Sequence, residues 1–285
     1  MGLILNTNVP SLVAQRNLWN NSKAVQSSFE KLSSGLRINR AADDAAGLSI
    51  SETLKTQIRG NEKAVANAQD GVNILQIAEG ALGVITENLQ RIRELTIQAA
   101  SDTNSSTERR AIALEVQSRM NDIDRIAETT RSSNINLLDG SKTTYLLQIG
   151  PNNPQTQNTL DIGTILADSR ATALGFTMSV TAAGATGTYV ANTTARAFLN
   201  EIDGALNNVN SRRAQLGAMQ NRLQSTIESL SIAVENLKST NSRIRDLDVA
   251  SESAIMTRNQ ILQQSTLSVL AQANQSPTLV LKLLG

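Results

Sequence analysis

The chain has 285 residues and a net charge of +1, from 26 Lys and Arg against 25 Asp and Glu; the signs are mixed along its length, so it lacks the basic stripe of a nucleic-acid binder. It contains no Cys and no His, which removes disulfides, thiolate nucleophiles, the usual general base and the commonest metal ligands. One Trp, two Tyr and three Phe are too few for ordinary globular cores, so aliphatic seams must supply the buried surface.

Met1 to Gln15 carries no charge, and Asn6, Asn8 and Pro10 break its apolar pieces. It lacks the basic start, long apolar core and cleavage site of a Sec signal. No stretch reaches the roughly 18 apolar residues of a membrane span, so the expectation is a chain soluble at synthesis, without membrane insertion. From Leu18 the pattern is helical. Leu18, Val25 and Leu32 share one stripe, with Phe29 and Leu36 beside it, and Gly35 with the polar run Arg37 to Asp44 predicts a break.

Asp44 can cap a second long helix over about Ala45 to Ala100. Val65, Ala68, Val72, Leu75, Ala78, Leu82, Ile85, Leu89, Ile92 and Ala99 keep a three-four alternation along it. Gly60, Gly71, Gly80 and Gly83 each lower its intrinsic helicity by about 1 kcal/mol if exposed, a cost that close packing is expected to offset. Ser105-x-x-Glu108 reads as a capping box opening a third helix to about Arg131. Ile112, Val116, Ile123 and Ile126 give it one apolar face, and Asp122/Arg125 and Glu128/Arg131 are spaced for weak ion pairs.

After Asp139-Gly140 the period changes to two. Tyr145, Leu147 and Ile149 alternate with Thr144, Leu146 and Gln148, and Leu160 and Ile162 follow a polar loop, which predicts a hairpin. Ala167 to Ala191, rich in Gly, Ala, Thr and Ser, reads as an exposed turnaround. Then Ile202, Val209, Leu216, Leu223, Leu230, Leu237 and Ile244 recur every seven residues. A repeat of that length imposes a left-handed coiled coil on a partner helix, and from Leu199 the rod would be about 70 Å long. A long surface helix of a globular protein is the plainer alternative. A second seam holds Leu199, Leu206, Ile227 and Val234 but also Arg213, Gln220 and Asn241, the last two read as register-fixing polar residues.

Asn259 to Leu281 has no charge yet carries Asn259, Gln260, Gln263, Gln264, Gln272, Asn274 and Gln275. It is too polar for lipid and too uncharged for an ordinary solvated face, so it should be buried against other protein. Both ends of the chain are helical, charge-poor and short of aliphatic mass. They are expected to fold together, disordered in the free chain and ordered when copies associate, with an intramolecular pair as the alternative.

Asp43-Asp44, Asp122/Asp124 and Asp246/Asp248 are the tight acidic clusters. Paired carboxylates can hold a cation or do acid-base work, but these fall at helix ends or on charged faces, where Asp is a routine cap. No phosphate loop, dinucleotide motif, nucleophile elbow or zinc signature is present. The reading is therefore of a chain that is not an enzyme and has no cofactor or metal. Asn20, Asn104 and Asn192 begin N-x-S/T triplets, and glycosylation, there or on the Thr and Ser residues from Thr172 to Thr194, stays open.

Longer motifs point to a family. Leu32-Ser33-Ser34-Gly35-Leu36-Arg37-Ile38-Asn39, followed by Ala42-Asp43-Asp44-Ala45-Ala46-Gly47, resembles the N-terminal signature of bacterial flagellin. Asn67-Ala68-Gln69-Asp70-Gly71, Glu79-Gly80-Ala81-Leu82 and Leu89-Gln90-Arg91-Ile92-Arg93-Glu94-Leu95 resemble its next characteristic run. Ile261-Leu262-Gln263-Gln264 and Val269-Leu270-Ala271-Gln272-Ala273-Asn274-Gln275 resemble its C-terminus. The fold expected is mainly α: a long antiparallel helical rod or coiled-coil bundle with one small β-hairpin region and paired N- and C-terminal helices. Residues 1–44 with 245–285 would form the terminal coiled coil of a filament core. Residues 45–176 with 192–244 would form the rod, with its hairpin at about 143–166, and 177–191 a short variable tip.

The resemblance implies a self-assembling subunit of the extracellular flagellar filament, a helical homopolymer that propels swimming. It implies export through the flagellar type III apparatus without a cleaved Sec signal, an export chaperone on the C-terminal segment, and contact with hook-associated junction and cap proteins. The polymerisation core would draw on Leu18, Val25, Phe29, Leu32, Leu36, Ile261, Leu262, Leu267, Leu270, Leu281 and Leu284. Gln90, Arg91, Leu95 and Glu115 match the positions that the family's host Toll-like receptor reads, or serve as packing residues between subunits. Val280-Leu281 and Leu283-Leu284 resemble the tail read by cytosolic inflammasome sensors, where Gly285 replaces an Arg common in the family. A hook-filament junction protein and a soluble coiled-coil adaptor are the alternatives; Ala45-Ala46-Gly47 after the paired Asp favours flagellin over the former.

Overall fold

Helices begin where the sequence supplies a cap. In the computed structural model, which describes residues 7–152, 158–176 and 192–284, the Asn8 side chain accepts the amide of Ser11 at 3.1 Å and opens α1 (Val9–Ser34), with Pro10 in its first turn. Gly35, at φ +69°, ends that helix and returns its amide to the Lys31 carbonyl. Asp44 accepts the amide of Gly47 at 2.8 Å and opens α2 (Ala45–Ala99). Ser105 and Glu108 form the anticipated reciprocal box at the head of α3 (Ser106–Thr129).

Two antiparallel ladders follow, β1 (Arg131–Ser132) with β2 (Ile135–Asn136), and β3 (Leu146–Gln148) with β4 (Thr159–Asp161). The second is the predicted hairpin, with Leu147 opposite Leu160. The first is too short to show any alternation; it turns on Ser133 at φ 54° and takes Arg131 off the helix, so Glu128 and Arg131 do not share a helical face. The long helices α4 (Asn192–Arg245) and α5 (Val249–Leu284) complete a chain that is mainly α.

The chain divides into two compact units, residues 1–58 with 235–285 and residues 59–234. The divisions fall inside α2 and α4, so each of these helices contributes to both units.

In the larger unit α2 and α4 run antiparallel, as the Gln220 amide on Glu79 (2.9 Å) and Arg93 on Asp203 (2.6 Å) fix. Leu75, Leu82, Ile85, Leu89 and Ile92 of α2 are wholly buried, with Ile123 of α3 and Leu137, Leu138, Ile162 and Leu166 of the following segment. From α4 the core takes Ile202, Val209, Leu216 and Leu223, while Leu230 is half-buried. Leu237 and Ile244 belong to the smaller unit and are also half-buried. Of the two polar seam residues, Gln220 bonds Glu79, and Asn241 in the smaller unit accepts the Ser51 hydroxyl at 2.8 Å.

The hairpin lies on α2 because that helix has no side chain there. A Cβ at Gly71 would sit 2.5 Å from Leu147 Cδ1 and 3.3 Å from Leu223 Cδ1, and one at Gly60 would sit 2.7 Å from Pro151 Cβ. Asn67 adds a bond to the Gln148 carbonyl at 3.0 Å. Gly80 and Gly83 behave otherwise. A Cβ on either meets nothing within 4 Å, so the close packing expected of all four glycines occurs at two. Gly71→Val is expected to destabilise this unit by about 1–3 kcal/mol, whereas Gly80→Ala stabilises it by up to about 1 kcal/mol; thermal melting of the two variants checks the contrast.

The stretch from Ala167, expected as an exposed turnaround, is folded as far as it is described. Ala171, Leu174 and Phe176 are buried, and the Phe176 and Phe198 rings lie 6.3 Å apart. Arg212 explains the turn: one terminal nitrogen donates to the carbonyls of Ala167 (3.1 Å) and Asp168 (2.7 Å) and to the Ser169 hydroxyl (2.9 Å). Burial depresses its proton affinity, and three acceptors hold it in place. The proposed variable tip, 177–191, lies outside the described residues.

Candidate functional site

The smaller unit holds the two ends of the chain, and among its described hydrophobic residues only Ala14, Ile38 and Ile58 are buried. α1 and α5 pack antiparallel through polar groups. Asn8 donates to the Ala273 carbonyl (2.8 Å), Ser11 to Asn274 (2.8 Å), Asn21 to Thr266 (3.2 Å), Gln263 to Ser22 (2.9 Å) and Ser28 to Glu252 (2.6 Å). Of the amides that look misplaced in sequence, Gln263 and Asn274 bond α1, whereas Gln260, Gln264 and Gln272 are exposed; the ends form an intramolecular helix pair in the single chain, not the free, disordered ends expected from sequence. Small Ser11, Ala14 and Ser28 are its buried residues on α1.

The large side chains divide between the helix interface and solvent. Leu18, Val25, Leu32, Leu36 and Leu270 are half-buried, but Phe29 is 67% exposed, Ile261 61% and Leu267 48%, with Leu262 also exposed. Val9, Leu12, Val13, Ile255, Val269 and the single Trp, Trp19 at 65%, extend this surface. Sequence reading omitted Trp19; the signal available was a lone Trp in a charge-poor helix. Leu281 and Leu284 lie on α5, their side chains outside the described set.

The connectors between helices bind each other. Leu36 forms an antiparallel bridge with Asp246, the Arg37 amide donates to the Arg245 carbonyl (2.7 Å), and the Leu247 amide to the Gly35 carbonyl (3.0 Å). The Arg37 guanidinium reaches the Ile244 carbonyl at 2.6 Å, and Arg245 reaches Glu52 at 2.6 Å. Each acidic cluster of the sequence has a structural task here. Asp43 accepts the amides of Asn39 (3.0 Å) and Arg40 (2.9 Å), Asp44 caps α2, and Asp248 accepts the amides of Ala250 and Ser251 in the first turn of α5. In the larger unit Asp122 pairs with Arg125, and Asp124 accepts the Ala171 amide at 2.7 Å. Among the described residues no three carboxylates gather as metal ligands would.

Several carboxylates titrate below their usual range. The amides of Arg40 and Asn39 lower Asp43, the Arg245 guanidinium lowers Glu52, Arg93 lowers Asp203, the Ser105 amide lowers Glu108 and Arg170 lowers Asp168. A carboxylate with a depressed folded-state pKa stabilises the fold above its unfolded pKa, and that contribution is lost as pH falls through the folded value. The monomer's melting temperature is therefore expected to hold from neutrality down to about pH 4.5 and to fall below it; a melting series in pH checks the sign.

On the larger unit Gln90 and Arg91 are exposed and Glu115 half-buried. Arg91 bonds Glu94 at 3.0 Å and Glu115 at 3.3 Å, linking α2 to α3. Leu95, grouped with them by sequence, is 3% exposed and faces the core, so the other three make the surface and Leu95 supports it.

Residues 5–143 match the profile of the bacterial flagellin N-terminal helical region, and residues 199–284 that of the bacterial flagellin C-terminal helical region. The chain is 43% identical over 282 residues to a flagellin of Halalkalibacterium halodurans, covering 99% of this chain and 100% of that protein. It is 42% identical over 306 residues to a flagellin of Bacillus subtilis, covering 98% and 99% respectively. Among solved structures, a putative flagellar hook-associated protein from Vibrio parahaemolyticus shares the fold at TM-score 0.56 and 15% identity, over 72% of this chain and all of that one. Matched along almost its whole length by these relatives, the chain belongs to the bacterial flagellin family.

Proposed function

We propose that this chain is the structural subunit of a bacterial flagellar filament, and that the outward face of its α1–α5 pair is what copies of it bury on polymerising. The observation that carries the reading is the division of labour in that pair: polar side chains join the two helices, while Trp19, Phe29, Ile261, Leu262 and Leu267 are left to solvent. A group of large apolar side chains left to solvent on one helix pair marks an interaction site. Adding sheared filament fragments to purified monomer is expected to give growing helical filaments by electron microscopy. Monomer that stays in solution with intact seeds overturns the reading and returns the chain to a soluble adaptor. A junction protein would cap seeds without elongating them.

The subunit is placed by this reading in the extracellular flagellum, exported without a cleaved Sec signal. No helix among the described residues is long and apolar enough to cross a membrane. Its further partners on this reading are an export chaperone, the hook-associated junction and cap proteins, and the host Toll-like receptor. The receptor reading rests on the exposed Gln90 and Arg91 with half-buried Glu115 beside them. Arg91→Ala is expected to lower receptor signalling by monomer at least tenfold while leaving its melting temperature within a few degrees, since surface pairs contribute little to stability. Undiminished signalling would remove the role.

A further inference from the structure

The charges on the terminal pair are one-sided. α1 carries Arg16, Lys23, Lys31 and Glu30, and α5 carries Glu252, Arg258 and Lys282. Both acids are engaged: Glu30 pairs with Arg40 at 2.9 Å, and Glu252 accepts the Ser28 hydroxyl. Arg16, Lys23 and Arg258 are exposed, and no carboxylate among the described residues pairs with them. Lys23 lies instead over the Trp19 ring, 5.4 Å from its centroid. A second terminal pair would bring more cations and no free acid.

These cations sit among exposed apolar side chains. At helical spacing Arg16 and Lys23 share the outward face of α1 with Val9, Leu12, Val13 and Trp19. On α5 the exposed Arg258 lies on the same open stretch of helix surface as Ile261 and Leu262. A cation next to aliphatic surface is complementary to a phospholipid, whose anionic headgroup joins an acyl chain. Amphipathic helices with Lys or Arg and with Trp, Phe or Leu lie in the headgroup plane of anionic bilayers, and each cation near that surface adds to the attraction.

We propose that the free, unpolymerised chain binds anionic phospholipid surfaces through the outward face of α1 and α5, lying on the bilayer with Trp19 at the interface. The inference does not depend on the filament reading, because it concerns the monomer.

The test uses the full chain at a concentration where it sediments as a monomer, mixed with vesicles of phosphatidylcholine alone or with about one third phosphatidylglycerol. The expected result is flotation with the anionic vesicles only and a blue shift of Trp19 emission, the sole Trp reporting from the site. Combined Arg16→Glu and Lys23→Glu should weaken that binding at least tenfold, as should salt high enough to screen exposed charges. Both residues are exposed and without a carboxylate partner, so helical circular dichroism is expected to be unchanged and to show the variant folded. Absence of flotation, equal flotation with neutral vesicles, or binding indifferent to the charge reversals would overturn the proposal. A Trp19 shift without flotation would report self-association and overturn it too.

Discussion

Leu223→Asp is expected to unfold the larger unit of the monomer. Leu223 is 0% exposed, packs near Gly71 and the Leu147 side chain of the hairpin, and closes the wholly buried part of the α4 seam. Asp there leaves either an unpaired charge or a protonated carboxyl without a partner, on top of the lost aliphatic contact. The cost is about 4 kcal/mol or more, a large part of the stability of an ordinary domain. Circular dichroism at 25 °C should show loss of helix or a melting temperature lowered by more than 10 °C. The same substitution at half-buried Leu230, where the carboxylate can reach water, should cost clearly less. Equal stability of the Leu223 variant and the parent would mean that the heptad stripe is not what holds α2 and α4 together.

The opposite outcome is expected for Ile261→Glu combined with Leu267→Glu. Both side chains are largely in solvent, so the monomer should keep its melting temperature within about 2 °C, as exposed substitutions generally do. Assembly should stop. Burying two carboxylates at every subunit contact costs several kcal/mol unless each finds a partner, and seeded growth should fall below detection by electron microscopy. Filaments of normal length from this variant would show that α5 does not face its neighbours through these residues.

What could be read from the chain depended on how local the signal was. The seven-residue spacing from Ile202 to Leu223, the box at Ser105 and Glu108 and the alternation around Leu147 are each fixed within a few residues, and the helices and hairpin form where they indicate. Hydrophobic spacing also found α1, but not which molecule covers it. Phe29 sits one residue from buried Ser28 and is itself exposed, because the monomer joins its ends through hydroxyls and amides and leaves the larger groups outside. The bonds of Ser28 to Glu252 and of Arg212 to the carbonyls of Ala167 and Asp168 span long sequence separations and follow no motif. Arg212 is why a stretch rich in Gly, Ala and Thr, which composition assigns to an exposed turn, is instead held against the core as far as Phe176. The glycines divide for a similar reason: whether a missing side chain makes room for a neighbour depends on where the hairpin lands.

The contact of Phe176 with Phe198, with Arg212 securing the residues before it, fixes the chain on both sides of residues 177–191. Phe176 and Phe198 are themselves buried in the core, so a peptide inserted between residues 177 and 191 is expected to leave the aliphatic seams intact, with an unchanged melting temperature as the check.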